Sequence, residues 1–512
     1  MRPLHTLPLL LLFTACEPKK SGPAAAAPPA PQEAAPLAEK PPQTDIKSSV
    51  LRINSTQQSW NPGQPWEKNP PSQRRALAAI VGPQRVLTTS ELVADSTYLE
   101  FETPDGLRFA QAKVIAVDYE ANLALLGPVS ETEGAILFEK TTPLELTAPP
   151  KIGQTLEILQ IEDNGLPLLT PGSLQSIDVT SNFLPGHGFL TYQIKASMQS
   201  AASSYSLPVL QSGKLAGILT SYNAKDQICE AASTDIVSRF LQQSSNGEYK
   251  GFPSLGVTIA RTEDGSFRQW LKLRDDQGGL YIRSVRKGGA AEAAGVKPGD
   301  VLLAIDGKPI DRRGYYQHPG YGSVFWGHLI RGEKATGESI TLSLLREGQP
   351  LEIQATLTRE EENSRLVPGY NFGKAPNYLI AGGLVFQELS RPLMESYGEN
   401  WQSRAPLEFL DALENPEKYE DKVDRIIFLS GAIPTPATVG YESLRNLIVR
   451  KVNGKEIKNM RSLIEAFKGN LTERHSIEFA EQDFTVYLDD ATSTAVDAQL
   501  LQRGITRLSR AE

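Results

Sequence analysis

The sequence predicts a mainly β protein with about three folded domains, and two observations carry this prediction. From about residue 46 onward, short apolar runs rich in Val, Ile, Leu and Thr alternate with Gly, Pro, Asn and Asp clusters, a spacing typical of β-barrels and sandwiches. The chain is 512 residues long, and a folded domain averages about 150 residues. A composition of 40% hydrophobic and 22% charged residues excludes a mostly disordered chain.

The charge balance argues against a nucleic-acid partner. There are 52 Lys and Arg residues against 60 Asp and Glu residues, which gives a net charge of −8 at pH 7. Proteins that bind nucleic acids usually carry a basic excess or a basic stripe, and this sequence has neither. No His/Cys cluster has the spacing of metal ligands, and the Gly-rich segments lack the context of phosphate loops. We therefore expect no metal and no other cofactor.

The first residues have the pattern of an export signal. An apolar run at residues 7–13 is too short to span a bilayer, and it leads into Phe13-Thr-Ala-Cys16. This segment resembles a bacterial lipoprotein signal, which implies a signal peptide at residues 1–15 and a lipid on Cys16. A plain signal peptide with an incidental cysteine is the alternative. The resemblance implies a membrane-anchored lipoprotein of the bacterial cell envelope that faces the periplasm.

Residues 16–45 are expected to be a lipidated cysteine followed by a tether. Residues 21–45 contain 8 Ala and 7 Pro, and proline at that density blocks a continuous helix and favours extended conformations. If Cys16 carries a lipid, Cys229 is the remaining thiol, so the mature chain can form no intramolecular disulfide. We expect Cys229 to be a buried, small apolar residue.

Residues 46–246 are expected to form the first folded domain, and three blocks within it resemble the trypsin-like domain of the HtrA/Deg proteases. These blocks are RVLTTSELV at residues 85–93, the segment 101–126 that ends in VDYEANLALL, and the segment 203–218 that ends in GKLAGI. Their order and spacing agree with the family. The resemblance implies a trypsin-like double β-barrel, and a short helical stretch at residues 232–243 follows it.

The residues at the catalytic positions differ from those of the family. By resemblance, Glu91 stands at the position of the general-base histidine, Asn122 at that of the orienting aspartate, and Tyr205 at that of the nucleophilic serine. Acyl transfer needs a base that takes the nucleophile's proton near pH 7 and a carboxylate that orients this base. No intact catalytic set is therefore predicted. Ser204 and Ser206 are weaker alternative nucleophiles.

The histidine count supports this interpretation without any alignment. The sequence has five histidines, and none lies between Cys16 and His187. A trypsin-like enzyme places its histidine before its aspartate and serine. His187 follows the block that contains Asn122, and its Pro-Gly-His-Gly context predicts a surface turn.

Residues 247–360 are predicted to form a peptide-binding domain. The run AAGVKPGDVLLAIDGKPI, at residues 293–310, resembles a PDZ domain of the HtrA type. It predicts a short helix at residues 290–294 that ends at Gly295, and a hairpin turned by Asp306-Gly307. By resemblance, Ser254, Leu255, Gly256 and Val257 form the loop that captures a peptide's terminal carboxylate. The alternative is that Leu255 and Val257 are only core strand residues.

After a linker at residues 361–378, residues 379–508 are expected to form a second PDZ-like domain. Residues 452–457 (VNGKEI) repeat the pattern of residues 304–310. This region resembles the C-terminal part of plant-type Deg proteases, with an insertion at residues 399–421. It has no clear carboxylate loop, although residues 382–385 lie in the corresponding place, and we expect it to serve assembly rather than ligand capture.

The complete resemblance implies a mainly β fold: a trypsin-like double β-barrel followed by two PDZ-like α/β domains. Because the catalytic positions are altered, we expect a lipid-anchored pseudo-protease that binds peptides or unfolded protein segments as an adaptor, chaperone or regulator in protein quality control. An active but atypical serine endopeptidase and a structural envelope scaffold are the alternatives. Active relatives form trimers or multiples of them, so homo-oligomerisation is expected by resemblance only.

Overall fold

A computed structural model describes most of the chain after residue 44. The described residues are 45–162, 164–198, 205–245, 249–360, 362–468 and 473–512. The predicted signal peptide, Cys16, the tether and Ser204 lie outside them. No helix within these ranges is long and apolar enough to cross a membrane.

The first six strands close into a barrel with the order β1-β2-β3-β6-β5-β4. Its core contains Leu51, Ile53, Val86, Phe101 and Leu126, all fully buried. β2 changes character along its length, because its first four residues are exposed and polar whereas the next five are apolar and buried. The strands are β1 (Val50–Gln57), β2 (Ser72–Gly82), β3 (Arg85–Thr88), β4 (Ser96–Glu102), β5 (Phe109–Asp118) and β6 (Leu123–Pro128).

The next six strands close into a second barrel with the order β10-β11-β12-β9-β8-β7. The prediction for Cys229 is confirmed: the side chain is fully buried in this barrel, and burial raises the pKa of its thiol to about 12. Helix α1 (Glu131–Phe138) precedes the barrel and helix α2 (Thr234–Ser245) follows it. The strands are β7 (Thr155–Ile161), β8 (Pro167–Ser181), β9 (Gly188–Lys195), β10 (Pro208–Gln211), β11 (Lys214–Asn223) and β12 (Ile228–Ser233).

The third sheet has the order β13-β14-β15-β19-β20, and β16 pairs with β15. Asp306 and Gly307 have φ angles of 48° and 73°, the left-handed geometry of a two-residue hairpin turn, as predicted. β17 and β18 pair with each other in a separate two-stranded sheet. The elements of this region are β13 (Val257–Ala260), α3 (Gly265–Trp270), β14 (Leu280–Val285), α4 (Ala290–Ala293), β15 (Val301–Ile305), β16 (Lys308–Pro309), β17 (Tyr315–His318), β18 (Gly322–Phe325), α5 (Gly327–Arg331), β19 (Ser339–Arg346) and β20 (Gln349–Thr356).

The fourth sheet has the order β27-β26-β24-β23-β22-β21-β28, and β25 pairs with β24. Asn453-Gly454 repeats the left-handed turn of Asp306-Gly307. The elements are β21 (Tyr378–Ala381), β22 (Leu384–Glu388), α6 (Arg391–Glu395), α7 (Leu407–Glu414), β23 (Ile427–Ala432), β24 (Leu447–Val452), β25 (Lys455–Glu456), α8 (Met460–Lys468), β26 (Arg474–Phe479), β27 (Thr485–Asp489), α9 (Asp490–Gln502) and β28 (Ser509–Arg510).

Short 3-10 helices join several of these elements: Ile46–Ser49, Ser90–Leu92, Glu362–Ser364, Trp401–Ser403 and Pro416–Lys418. The segment before the fourth sheet is packed rather than exposed. Leu366 and Val367 are buried, and the Phe372 ring lies 4.4 Å from the ring of Tyr119 in the first barrel. The architecture confirms the predicted fold class, a mainly β chain with a double barrel followed by PDZ-like sheets.

Candidate functional site

The three altered catalytic positions lie on loops of the two barrels. Glu91 lies in the 3-10 helix after β3, Asn122 directly precedes β6, and Tyr205 lies shortly before β10. Asn122 is buried, and its Oδ1 atom accepts hydrogen bonds from the Glu91 backbone nitrogen at 3.2 Å and from Ser90 Oγ at 3.1 Å. Asn122 thus holds the Glu91 turn in place through neutral hydrogen bonds.

Arg74 joins Glu91 to Tyr205. Its guanidinium lies 3.3 Å from Glu91 Oε1, and its central carbon lies 5.5 Å from the centroid of the Tyr205 ring. Burial raises the pKa of Glu91 even though Arg74 acts to lower it, and burial also raises the pKa of Tyr205. An ion pair and a cation–π contact therefore hold these side chains together.

Ser206, one of the alternative nucleophiles, is enclosed between the barrels. The residue is fully buried, and its Oγ lies 2.5 Å from Thr88 Oγ1 and 3.2 Å from the Thr89 backbone nitrogen. Its own backbone nitrogen donates to Leu219 O. Ser206 has a φ of 61°, which is uncommon for a residue other than glycine. In this arrangement the hydroxyl links the first barrel to the second.

The predicted carboxylate loop leads directly into an edge strand. Gly256 has a φ of 75°, its nitrogen donates to Ser254 Oγ at 3.2 Å, and its carbonyl accepts from the Arg286 nitrogen. Leu255 is buried and Val257 is half-buried against the core, so these side chains also have the alternative, structural role. β13 ends the sheet, and among the described residues its outer edge pairs with no strand. An edge of this kind can accept an added peptide strand.

The corresponding edge of the fourth sheet is filled. Each of the two sheets contains a short hairpin, β15–β16 in the third sheet and β24–β25 in the fourth. Counted outward from this hairpin, β22 occupies the position in the fourth sheet that β13 occupies in the third. β21 pairs with β22 in antiparallel register through the two-residue turn Gly382-Gly383, and β28 pairs with the far side of β21. Residues 382–385 therefore form a hairpin turn and the start of a central strand, and the chain's own β21 lies where a peptide would add.

Asp497 adds a half-buried carboxylate beside this turn. Its Oδ1 accepts a hydrogen bond from the Gly382 nitrogen at 2.8 Å, and burial raises its pKa to about 6. The nitrogen of Gly382 is thus already bound to a carboxylate of the same chain.

The prediction that His187 lies in a surface turn is wrong. The residue is 5% exposed, with Nδ1 3.0 Å from Glu120 Oε2 and Nε2 3.3 Å from Glu362 Oε1. Arg331 lies 3.4 Å from Glu120, and Arg365 lies 2.9 Å from Glu362. The Pro-Gly-His-Gly segment does form the turn before β9, but partners from remote parts of the chain cover it.

The electrostatics of this cluster favour a charged imidazole. Burial disfavours the charge on His187, but the hydrogen bonds to Glu120 and Glu362 outweigh burial and raise its pKa. Burial likewise opposes ionisation of both glutamates, yet contacts with His187 and the arginines lower their pKa values. Arg331 also lies 3.3 Å from Nδ1. Because a guanidinium only donates, the closer carboxylate of Glu120 is the natural partner of the Nδ1 proton.

The same cluster has the ligand types and the spacing of a cation site. The ligand atoms of Glu120, His187 and Glu362 lie within 4.8 Å of one another. However, the two ring nitrogens face different carboxylates, and Arg331 and Arg365 already supply positive charge to both. The geometry is therefore that of an ion-pair network joining the barrels, helix α5 and the segment after β20.

Comparisons with known proteins agree with this architecture. Two family models, both described as PDZ domain, match residues 281–317 and 367–507. "Putative protease Do-like 3, mitochondrial" of Arabidopsis thaliana is 25% identical over 458 residues, covering 89% of this chain and 78% of the relative. "Protease Do-like 2, chloroplastic" from the same plant is 25% identical over 464 residues, covering 90% and 74%.

A bacterial relative and a solved structure match this chain over shorter stretches. "Periplasmic serine endoprotease DegP" of Salmonella typhimurium is 25% identical over 305 residues, covering 57% of this chain and 59% of the relative. The solved structure "HtrA-type protease AlgW with decapeptide" has a TM-score of 0.46 and 20% identity, and the match covers 62% of this chain and 97% of that one.

Two closed barrels followed by PDZ domains define the class of the protein, a chain with a trypsin-like protease fold and PDZ domains after it. Within that class, the chain belongs to the HtrA/Deg family.

Proposed function

We propose that this HtrA/Deg-family protein works without serine-protease chemistry and holds peptides or unfolded protein segments through its first PDZ domain. Its role is that of an adaptor, a chaperone or a regulator in protein quality control. The observation that carries the proposal is the contact of Arg74 with both Glu91 and Tyr205 at the altered catalytic positions.

The chemistry of the barrel loops supports a non-catalytic role. A serine nucleophile needs a base within hydrogen-bond reach and a group that orients the base. Glu91 forms an ion pair with Arg74. The Oδ1 atom of Asn122 accepts two hydrogen bonds, and this amide carries no charge that could stabilise an imidazolium. Ser206 is buried and bonded to Thr88. Ser204 lies outside the described residues, so covalent labelling with a serine-reactive probe is needed to test whether it is a nucleophile.

The peptide-binding part of the proposal rests on the edge of the third sheet. β13 has an unpaired outer edge within the described part of the chain, and the predicted carboxylate loop precedes it. Peptides add to such an edge through backbone hydrogen bonds, which tolerate many sequences, and side-chain pockets then add selectivity. Because β22 is covered, the first PDZ domain captures the peptide in this proposed function and the second has an assembly role.

The setting of this function is proposed from the first 45 residues. A lipid on Cys16 would anchor the protein to a membrane of the bacterial cell envelope, facing the periplasm, and the Ala/Pro-rich segment would hold the domains away from it. A homo-oligomer, trimeric or a multiple of that, is proposed from the family resemblance.

A serine-reactive fluorophosphonate probe tests the catalytic part. We expect no covalent labelling of the purified full chain and no cleavage of casein, with trypsin as the positive control. Labelling that disappears in Ser204→Ala or Ser206→Ala would overturn the proposal and favour an atypical endopeptidase. A library of peptides with free C-termini tests the binding part, and binding no higher than background would favour a structural scaffold instead.

A further inference from the structure

The predicted carboxylate loop of the first PDZ domain already faces a carboxylate from the same chain. Ser254 Oγ donates to Glu360 Oε2 at 3.3 Å, while the Gly256 nitrogen donates to the same Ser254 Oγ at 3.2 Å. Two residues before Glu360, the Thr358 carbonyl accepts a hydrogen bond from the Ser254 nitrogen at 2.8 Å. The segment after β20 therefore lies along the loop and points its glutamate at it.

Two arginines complete an anion site around this glutamate. Arg286 pairs directly with Glu360, and Arg365 lies 2.6 Å from Glu360 Oε1. Arg286 belongs to the loop environment, since its backbone nitrogen donates to Gly256 O. Burial, and after it the neighbouring Arg365, lower the pKa of Arg286 to about 10, so an anion beside these two guanidiniums offsets both desolvation and their mutual repulsion.

The anion site is partly open. The side chains of Arg286 and Glu360 are 21% and 15% exposed, and that of Arg365 is 32% exposed. Partial desolvation strengthens a guanidinium–carboxylate pair relative to a fully solvated one, while the remaining exposure lets a competing anion reach it.

The same segment continues to the barrels. Arg365 contacts both Glu360 and Glu362, and Glu362 lies 3.3 Å from His187 Nε2. Arg286 also donates to Ser364 Oγ at 3.2 Å. One short stretch of chain thus bridges the carboxylate loop of the PDZ domain and the buried His187 cluster, and we name Thr358, Glu360 and Glu362 the clasp.

We propose that Glu360 is an internal stand-in for the terminal carboxylate of a peptide, and that peptides with a free C-terminal carboxylate compete with it for Arg286 and Ser254. This inference rests on the proposed peptide-binding function and specifies both its ligand class and its control. A guanidinium pairs equally well with a terminal carboxylate, and the peptide strand adds backbone bonds to β13 that Glu360 alone does not make.

The competition has a directional consequence. A peptide that displaces Glu360 frees Arg365 from one of its two carboxylates and loosens the clasp near Glu362. By linkage, the binding free energy that the peptide loses in displacing the clasp equals the free energy by which bound peptide weakens the contact between the clasp and the barrels. Peptide binding at the first PDZ domain is thereby coupled to the His187 cluster.

Removal of the Glu360 charge tests the competition. The tightest binder from a library of peptides with free C-termini is measured by fluorescence anisotropy on the full chain, as the free acid and as the C-terminal amide. For Glu360→Gln we expect about tenfold tighter binding of the free acid and no change for the amide, because an occupied site reduces apparent affinity by its open fraction. Glu352→Gln, on the exposed face of β20, is the matched control and should bind both peptides as the wild type does.

A second measurement follows the clasp itself. Hydrogen exchange of the segment that contains Thr358 and Glu362 should quicken when the free-acid peptide binds to the wild type and stay unchanged with the amide. A thermal unfolding midpoint for Glu360→Gln close to that of the wild type shows that the variant is folded.

The outcomes separate the inference from the function on which it rests. If library peptides bind the wild type but Glu360→Gln leaves the affinity for the free acid unchanged or weaker, Glu360 is not a competitor. That result overturns this inference and leaves the peptide-binding function in place. If no peptide binds the wild type or Glu360→Gln, the peptide-binding function fails as well. Tighter binding confined to the free acid supports both.

Discussion

The side-chain oxygen of Asn122 lies 3.2 Å from the backbone nitrogen of Glu91, and the same oxygen accepts the hydroxyl of Ser90. In the HtrA/Deg resemblance these positions belong to the orienting acid and the general base. Here the first side chain supports the backbone of the second, so a catalytic relationship between two side chains has become a structural one.

Asn122→Ala should therefore destabilise the first barrel. It leaves the buried Ser90 hydroxyl and the Glu91 nitrogen without their acceptor, a cost of about 1–3 kcal/mol, and it places alanine at a φ of 55°. Denaturant unfolding monitored in the first barrel measures the change. Asn122→Asp is the matched control because it keeps an oxygen acceptor and tolerates the left-handed conformation. A larger loss in the aspartate variant than in the alanine variant would contradict this account.

The His187 cluster should make stability depend on pH with a predictable sign. The pKa of His187 is raised in the folded chain, so its contribution is fully present below the unfolded value of about 6.5 and is lost as pH rises through the folded pKa. The pKa values of Glu120 and Glu362 are lowered, so their contribution is lost as pH falls below about 4.3. We expect His187→Gln to lower the thermal midpoint most between about pH 5 and 6.5, and least at alkaline pH.

His318 provides a control of opposite sign for that experiment. Burial lowers its pKa, so its neutral form is favoured in the folded chain and its contribution is lost as pH falls. His318→Gln should therefore lose least, relative to the wild type, at acid pH. Parallel pH profiles for the two variants would show that the cluster around His187 does not titrate as described.

The sequence anticipates local structure well where the cause is local. Asp306-Gly307 is a turn signal whose backbone preference needs no distant partner, and a cysteine without a disulfide partner, such as Cys229, is usually a buried small residue. The conformation of His187 depends instead on Glu120, Glu362 and Arg331, which the fold brings from three other elements. No signal near residue 187 identifies those partners.

Two further features of the candidate sites were missed for different reasons. Arg74 lies in a polar stretch that begins β2, which has the appearance of a solvated strand end, and only the fold places it beside Glu91 and Tyr205. Gly382-Gly383 had a usable signal, because two glycines between apolar runs are typical of a tight hairpin. A turn there makes the second PDZ domain supply its own edge strand.

Lipidation at Cys16 is a prediction that the two cysteines of the chain test cleanly. Cells that express the full chain with radiolabelled palmitate should label the wild type, and Cys16→Ser should lose the label and move to the soluble fraction. Cys229→Ser is the matched control, since the buried thiol of Cys229 has a pKa raised to about 12 and little thiolate character. An unlabelled wild type would show that the N-terminal segment is a plain signal peptide, and label retained in Cys16→Ser would place the lipid on another residue.

The difference between the two PDZ edges predicts the stoichiometry of peptide binding. β13 ends its sheet, whereas β22 is covered by β21 through the Gly382-Gly383 turn, so one chain should bind one peptide. Isothermal titration of the full chain with the free-acid peptide should give about one site per chain by the β-addition mechanism. Gly383→Val places a branched side chain at a φ of 98° and should loosen β21 at a cost of more than about 1 kcal/mol. A second, weaker site should then appear, because the edge of β22 becomes available. Two equal sites in the wild type would instead mean that β21 does not block peptide addition.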